Sequence, residues 1–294
     1  MKKSNRFGWL ALCLLAVLVA FVLQIGVSLI VMLPYVIPKL ADLYSQGIDD
    51  MASIEDAVWQ ATSECMGLTL VLAHIAMLIC FSIWYYYGCG RPKLKEAKGV
   101  FAPTNLLVIV LVAGGMCFFV NFALPVATLI IPESIMENYE ALMEQAGFGV
   151  DMLAIIASVL IAPIGEEFIC RGVVFHYAKR MVSDLQDRRK AFWIANTVQA
   201  LMFGILHANI IQGSYAFVMG LALGYLRHRY NSLLPAIFAH MLINGVSSFA
   251  WEPLASLLPE SYVVYFIGAI IFLGVTFAGL CIGGPAEKKT AQVQ

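Results

Sequence analysis

The sequence predicts an all-α, polytopic membrane helix bundle of about eight transmembrane helices with both termini in the cytoplasm, and three observations predict it. The 294 residues are 61% hydrophobic and 13% charged, with a mean hydropathy of +0.83, whereas soluble domains carry about 25% charged residues. Eight apolar windows approach the roughly 20 residues that a helix needs to cross hydrocarbon. The connections between those windows alternate in charge. A formal net charge of −1 leaves no basic surface for phosphates, so nucleic acid is excluded as a partner. The bilayer itself is the first partner.

In chain order the windows are Trp9–Ile37, Gly67–Tyr87, Asn105–Ile131, Val150–Ala178, Ala191–Ala208, Ser214–Leu226, Ser232–Ala250 and Tyr262–Ile282. The first follows Lys2, Lys3 and Arg6 as a signal peptide would. Its apolar stretch exceeds the 7–15 residues or so of a signal h-region, so it reads as a retained anchor. The sixth window is the shortest. The connection over 38–66 is the longest, and it has room for a short helix. Glu133, Glu137, Glu140 and Glu144, with Ile135, Met136, Tyr139, Leu142 and Met143 between them, suit a helix lying on the outer surface. The cysteines at 13, 65, 80, 89, 117, 170 and 281 form no CxxC pair, which predicts neither a disulfide framework nor a cysteine zinc site. Without repeats or inserted soluble segments, residues 1–294 read as one membrane domain.

Charge orients the bundle. Of the 18 lysines and arginines, all but Lys39 and Arg171 fall before the first window or after the second, fourth, sixth and eighth. The alternate connections are acidic, from Asp42 to Glu64, from Glu133 to Asp151, and at Glu252 and Glu260. This pattern places both termini in the cytoplasm. Short charged loops of this kind suggest a prokaryotic plasma membrane.

With the connections set aside, Asp151 at the head of the fourth window among them, three charged residues remain inside the windows: Glu166, Glu167 and Arg171. Each costs about 2.5–3.5 kcal/mol at mid-bilayer on insertion scales, so each needs a cavity or a partner. Glu167 and Arg171 are i and i+4 on one helix, at ion-pair spacing. Glu166 is turned about 100° away, which leaves one carboxylate neutralised and one free. A structural Glu–Arg lock accounts for the pair but gives Glu166 no role. Other windows supply matching groups: His207 ends the fifth, and His240 and Asn244 share a face of the seventh. A free carboxylate beside two imidazoles can act as a general base toward water. Glu166, His207 and His240 are equally a candidate zinc set with an open position for water. Either route leads to hydrolysis. His74 reads as a core or interfacial residue, His176 and His228 as solvated, and Cys170 as packing. Pro163 predicts a break or kink just before Glu166.

At these residues the sequence resembles the CPBP family of intramembrane proteases, also called the Abi or CAAX-protease family. Glu-Glu-x-x-x-Arg stands as Glu166 to Arg171, Phe-x-x-x-His as Phe203 to His207, and His-x-x-x-Asn as His240 to Asn244. The ordered set covers about residues 150–250, leaving 1–149 and 251–294 as accessory helices. The resemblance implies that Glu166 is the general base and that His207 and His240 hold the water or a metal. It further implies that Asn244 positions the water or stabilises the oxyanion, and that Glu167 and Arg171 form a supporting pair. The cofactor is then a divalent metal such as zinc, or none. The expected activity is hydrolysis of a peptide bond in a membrane-associated peptide or protein. His-Glu-x-x-His, Gly-x-Gly-Asp and Gly-x-Ser-Gly, the signatures of other intramembrane proteases, are missing. The other reading is a non-catalytic scaffold or receptor, as in bacteriocin self-immunity, built on the same fold.

Overall fold

The computed structural model describes residues 5–90, 102–145 and 151–282; the basic residues at 2, 3, 91, 93, 95, 98, 288 and 289 lie outside them. Helix α1 spans Arg6–Ser45, α2 Met51–Gly88 and α3 Pro103–Ala127. Helix α4 covers Glu133–Gln145 and α5 covers Met152–Met181. Then follow α6 at Arg188–Leu206, α7 at Ile210–Tyr230, α8 at Leu234–Phe249, α9 at Trp251–Ala255 and α10 at Tyr262–Ile282. Every predicted window coincides with a helix. Helices α1, α2, α3, α5 and α10 are each long and apolar enough to cross a membrane, and α8 is a shorter apolar helix. The protein is a polytopic helical membrane bundle.

Two elements differ from the sequence reading. The connection over 38–66 is mostly helix: α1 and α2 are 40 and 38 residues long, and only Gln46–Asp50 separates them. At 1.5 Å per residue each reaches nearly 60 Å, about twice the hydrocarbon thickness. Lys39 Nζ meets Glu64 Oε1 at 2.7 Å and ties the projecting hairpin together. Asp50 caps α2 by accepting from the Ser53 backbone N–H at 2.9 Å, which holds its carboxyl below the ordinary value. The sixth window is longer than it reads, since α7 runs for 21 residues. Asn209 starts it by accepting from the N–H groups of Ile211 and Gln212, and Asn231 ends it in the left-handed conformation, φ +46°.

Helix α5 is the centre of the bundle, with α1, α2, α6 and α8 packed around it. The ends fit the predicted charge pattern. Arg6 meets Asp184 at 3.2 Å, Tyr230 donates to Asn105 Oδ1 at 3.2 Å, and Arg229 donates to the Leu280 carbonyl at 3.4 Å. The starts of α1 and α3 and the ends of α5, α7 and α10 therefore share one side. All the cysteines are free. Helix α4 docks on α7 through a Tyr139–Tyr215 hydrogen bond, and burial pushes the Tyr139 phenol up from its ordinary pKa.

Candidate active site

Helix α5 is not regular where its charges lie. Residues Ala157–Ile161 and Phe168–Val174 are wound as π-helix, with a short α segment, Ala162–Glu167, between them. Pro163 at the head of that segment has no N–H to donate to the turn before it, and the widened turn absorbs the mismatch. The expected break is thus a pair of wide turns in a continuous helix. One product is an exposed carbonyl: Ser158 O accepts from the Asn244 amide at 2.8 Å, which joins α8 to α5.

Glu167 is fully buried and Arg171 is 1% exposed. Their contact, Arg171 Nη1 to Glu167 Oε1, is 2.8 Å, as the i, i+4 spacing predicts. The same Glu167 oxygen lies 3.0 Å from His240 Nδ1, so that nitrogen carries the proton and donates it. The Arg171 guanidinium lies 4.2 Å over the Phe203 ring. Phe203 in turn stands edge-on to both His207 and His240, with ring centroids 4.9 and 5.6 Å away. All three sequence motifs therefore meet around Arg171 and Phe203. Among the described residues, Glu167 Oε2 and Arg171 Nε and Nη2 have no hydrogen-bond partner.

Glu166 faces elsewhere, as its rotation from Glu167 requires. Its side chain is 15% exposed, and its Oε2 lies 3.7 Å from His240 Nε2. His207 closes the corner between α6 and α7. Helix α6 begins at Arg188, where Asp187 caps it by accepting from Lys190 N, and its nineteen residues end at Leu206, with His207 next in the chain. Ala208 then turns the chain with φ +52°, a region that costs a side-chain-bearing residue of order 1–3 kcal/mol. Gly204 and Gly213 permit the turn, because a Cβ on either would stand under 3 Å from the other's carbonyl oxygen. His207 Nδ1 donates to the Phe203 carbonyl at 2.8 Å, which leaves Nε2 as a lone pair. Both Glu166 and His240 act on the His207 ring electrostatically.

Two residues near this site carry no sequence signal that identifies them. His74 of α2 brings Nε2 to 3.8 Å from Glu166 Oε1, and Tyr215 of α7 interacts electrostatically with Glu166. His176 stacks edge-on against Tyr177, and His228 lies on Phe192 with centroids 4.1 Å apart. Cys170 is fully buried packing. Among the described residues no three His, Cys, Asp or Glu side chains are grouped to hold a metal ion.

Residues 148–246 match the family described as type II CAAX prenyl endopeptidase Rce1-like, and over that stretch the resemblance to the CPBP proteases holds. A 92-residue stretch is 30% identical to the Putative membrane peptidase YdiL of Bacillus subtilis (strain 168), covering 31% of this chain and 34% of that protein. The chain thus spans about a third of that relative's length. No solved structure matches.

Proposed function

We propose that this chain, with the CPBP motifs in residues 148–246, is an intramembrane endopeptidase that cuts a membrane-associated peptide or protein. One observation carries the reading: of two adjacent carboxylates, the buried Glu167 is taken up by Arg171 and His240, while the partly buried Glu166 accepts no hydrogen bond among the described residues and faces the Nε2 atom of His240. Glu166 takes a proton from water as the hydroxyl oxygen bonds to the scissile carbonyl carbon. It then passes the proton to the amide nitrogen as the C–N bond breaks. The water's other hydrogen is accepted by an Nε2 lone pair, that of His207 or of His240. Asn244 keeps one amide N–H on Ser158 O and offers the other to the oxyanion. Glu167 and Arg171 hold His240 in the required tautomer. Residues 150–250 form the catalytic core within a single membrane domain, 1–149 and 251–294 are accessory helices, and the setting is a prokaryotic plasma membrane with both termini inside.

The test compares full-length protein with Glu166→Gln in a bacterial host, reading new N-termini in membrane proteins by terminal-amine labelling and mass spectrometry. The parent generates cleavages that Glu166→Gln lowers by about 10²–10⁴-fold. Equal sets of termini would sink the protease reading and favour the scaffold, for which the Glu167–Arg171–His240–Phe203 cluster is only a lock.

A further inference from the structure

We propose that His74, outside the motif-bearing residues, is a positioning residue of the site. It holds Glu166 by Oε1 from α2 while His240 faces Oε2 from α8. The proposal rests on the protease reading above.

The ring's orientation is fixed first. His74 Nδ1 lies 2.7 Å from the Leu70 carbonyl one turn back, so Nδ1 carries a proton and donates it. A histidine satisfied in that way needs nothing more from its surroundings. Yet its second nitrogen is turned to Glu166 Oε1 at 3.8 Å, with both side chains largely buried, 12% and 15% exposed. Packing places it there. The backbone of α2 runs beside Gly165, and His74 O lies 3.6 Å from where a Cβ on Gly165 would stand. The residue next to the base is therefore in contact with the residue that carries the ring.

The chemistry follows from lone pairs. With Nδ1–H committed, Nε2 and Oε1 attract only when one proton lies between them. Carried on Nε2 and donated to Oε1, that proton leaves Glu166 a carboxylate, fixes Oε1, and leaves Oε2, on the His240 side, as the oxygen that takes the proton from water. Separations of 3.7 and 3.8 Å are long for hydrogen bonds, as catalytic contacts often are before substrate closes the site. His74 neither gains nor loses a proton over a turnover, so it acts through Glu166.

Two substitutions separate this role from a structural one. His74→Asn can keep the Nδ1 bond to Leu70 but has no atom at Nε2, whereas His74→Gln places an amide N–H near Nε2. In the terminal-amine assay, at equal membrane levels, His74→Asn should lower cleavage about 10- to 100-fold and His74→Gln should restore it to within about threefold of the parent. A structural role predicts the reverse order. Cleavage by His74→Asn at the parent rate overturns the proposal. So does a folded His74→Gln that is as inactive as His74→Asn. If Glu166→Gln still cleaves, the protease reading has failed; if Glu166→Gln is inactive while His74→Asn is active, only the role of His74 has failed. Should the His74 variants not fold, ¹⁵N-histidine spectra of the parent and of Glu166→Gln decide. A His74 Nε2 resonance that moves supports the contact, and one that stays overturns it.

Discussion

Helices α5, α6 and α8 meet through buried polar groups, whereas α3 and α10 meet through aromatic rings and small residues. In the first region Glu167, Arg171 and His240 are each at most 2% exposed and bonded to one another. Asn196 and Gln199 of α6 are fully buried and donate to the Leu221 and Gly220 carbonyls of α7. In the second, Phe272 meets a tilted Phe118 ring at 4.7 Å and a stacked Phe122 ring at 5.5 Å, with Gly268 set against Phe122 and Gly115 against Thr276. Lipid is as apolar as leucine, so neither pairing gains from leaving it. Both depend on close contact. Only the first carries ionisable groups, whose insertion costs free energy that rings and glycines would not. Packing alone therefore gives the polar cluster no reason to be charged, and α3 and α10 show how two helices are held without one.

The comparison breaks most visibly at Arg171. Arg171→Ala leaves the Glu167 carboxylate buried beside a histidine and without its cation, and a broken buried pair costs about 3–5 kcal/mol. We expect a large drop in thermal unfolding temperature in detergent and little accumulated protein. Replacing both partners, Arg171→Met with Glu167→Leu, should recover part of that stability, since no unpaired charge remains. It should recover no cleavage, because His240 Nδ1 then has no acceptor. A single Arg171→Ala as stable as the parent would mean that the cluster is not holding these helices.

Helix–helix approach supplies the next test, and here both regions should behave alike. Gly204→Ala puts a methyl 2.7 Å from Gly213 O, and Gly115→Ala puts one 2.7 Å from the Thr276 backbone nitrogen. In each case backbone must give way, and overpacking of this kind costs about 1–3 kcal/mol. The regions should separate in function: Gly204→Ala displaces His207 and lowers cleavage, whereas Gly115→Ala lowers stability alone. Thermal unfolding and the terminal-amine assay on the same two proteins decide it. Equal loss of cleavage in both would remove the distinction between core and accessory helices.

Sequence patterns made some of this legible and hid the rest for physical reasons. Helices are local, so eight apolar windows located eight helices, and the i, i+4 spacing of Glu167 and Arg171 anticipated their 2.8 Å contact. The start of α6 was less legible: the apolar window begins at Ala191, whereas the helix begins at Arg188 under the Asp187 cap. The π turns were not legible, because Pro163 signals a disturbed helix without saying whether it kinks or widens. The Asn244–Ser158 bond depends on a carbonyl that only the wide turn frees. The continuation of α1 and α2 past the hydrocarbon was missed because its residues are polar and mixed, although Lys39 and Glu64 pair across it. His74 was missed for a different reason. Its partner lies 92 positions on, in another helix, and a single histidine in an apolar run carries no periodic signal.

The smallest expected effect has the opposite sign, and it tests whether close contact rather than glycine itself is what α3 requires. Gly114 is the neighbour of Gly115 on the same helix, yet a Cβ built on Gly114 meets nothing within 4 Å. A glycine inside a helix costs about 0.5–1 kcal/mol relative to alanine, because it has more backbone freedom to lose. Gly114→Ala should therefore raise the unfolding temperature slightly and leave cleavage unchanged, while Gly115→Ala lowers the temperature. The two positions share sequence context, helix and depth, so propensity is the same for both and only the facing residue, Thr276, differs. Destabilisation by Gly114→Ala would mean that a further surface packs on this face of α3, and the accessory helices would then be bound from outside as well as to each other.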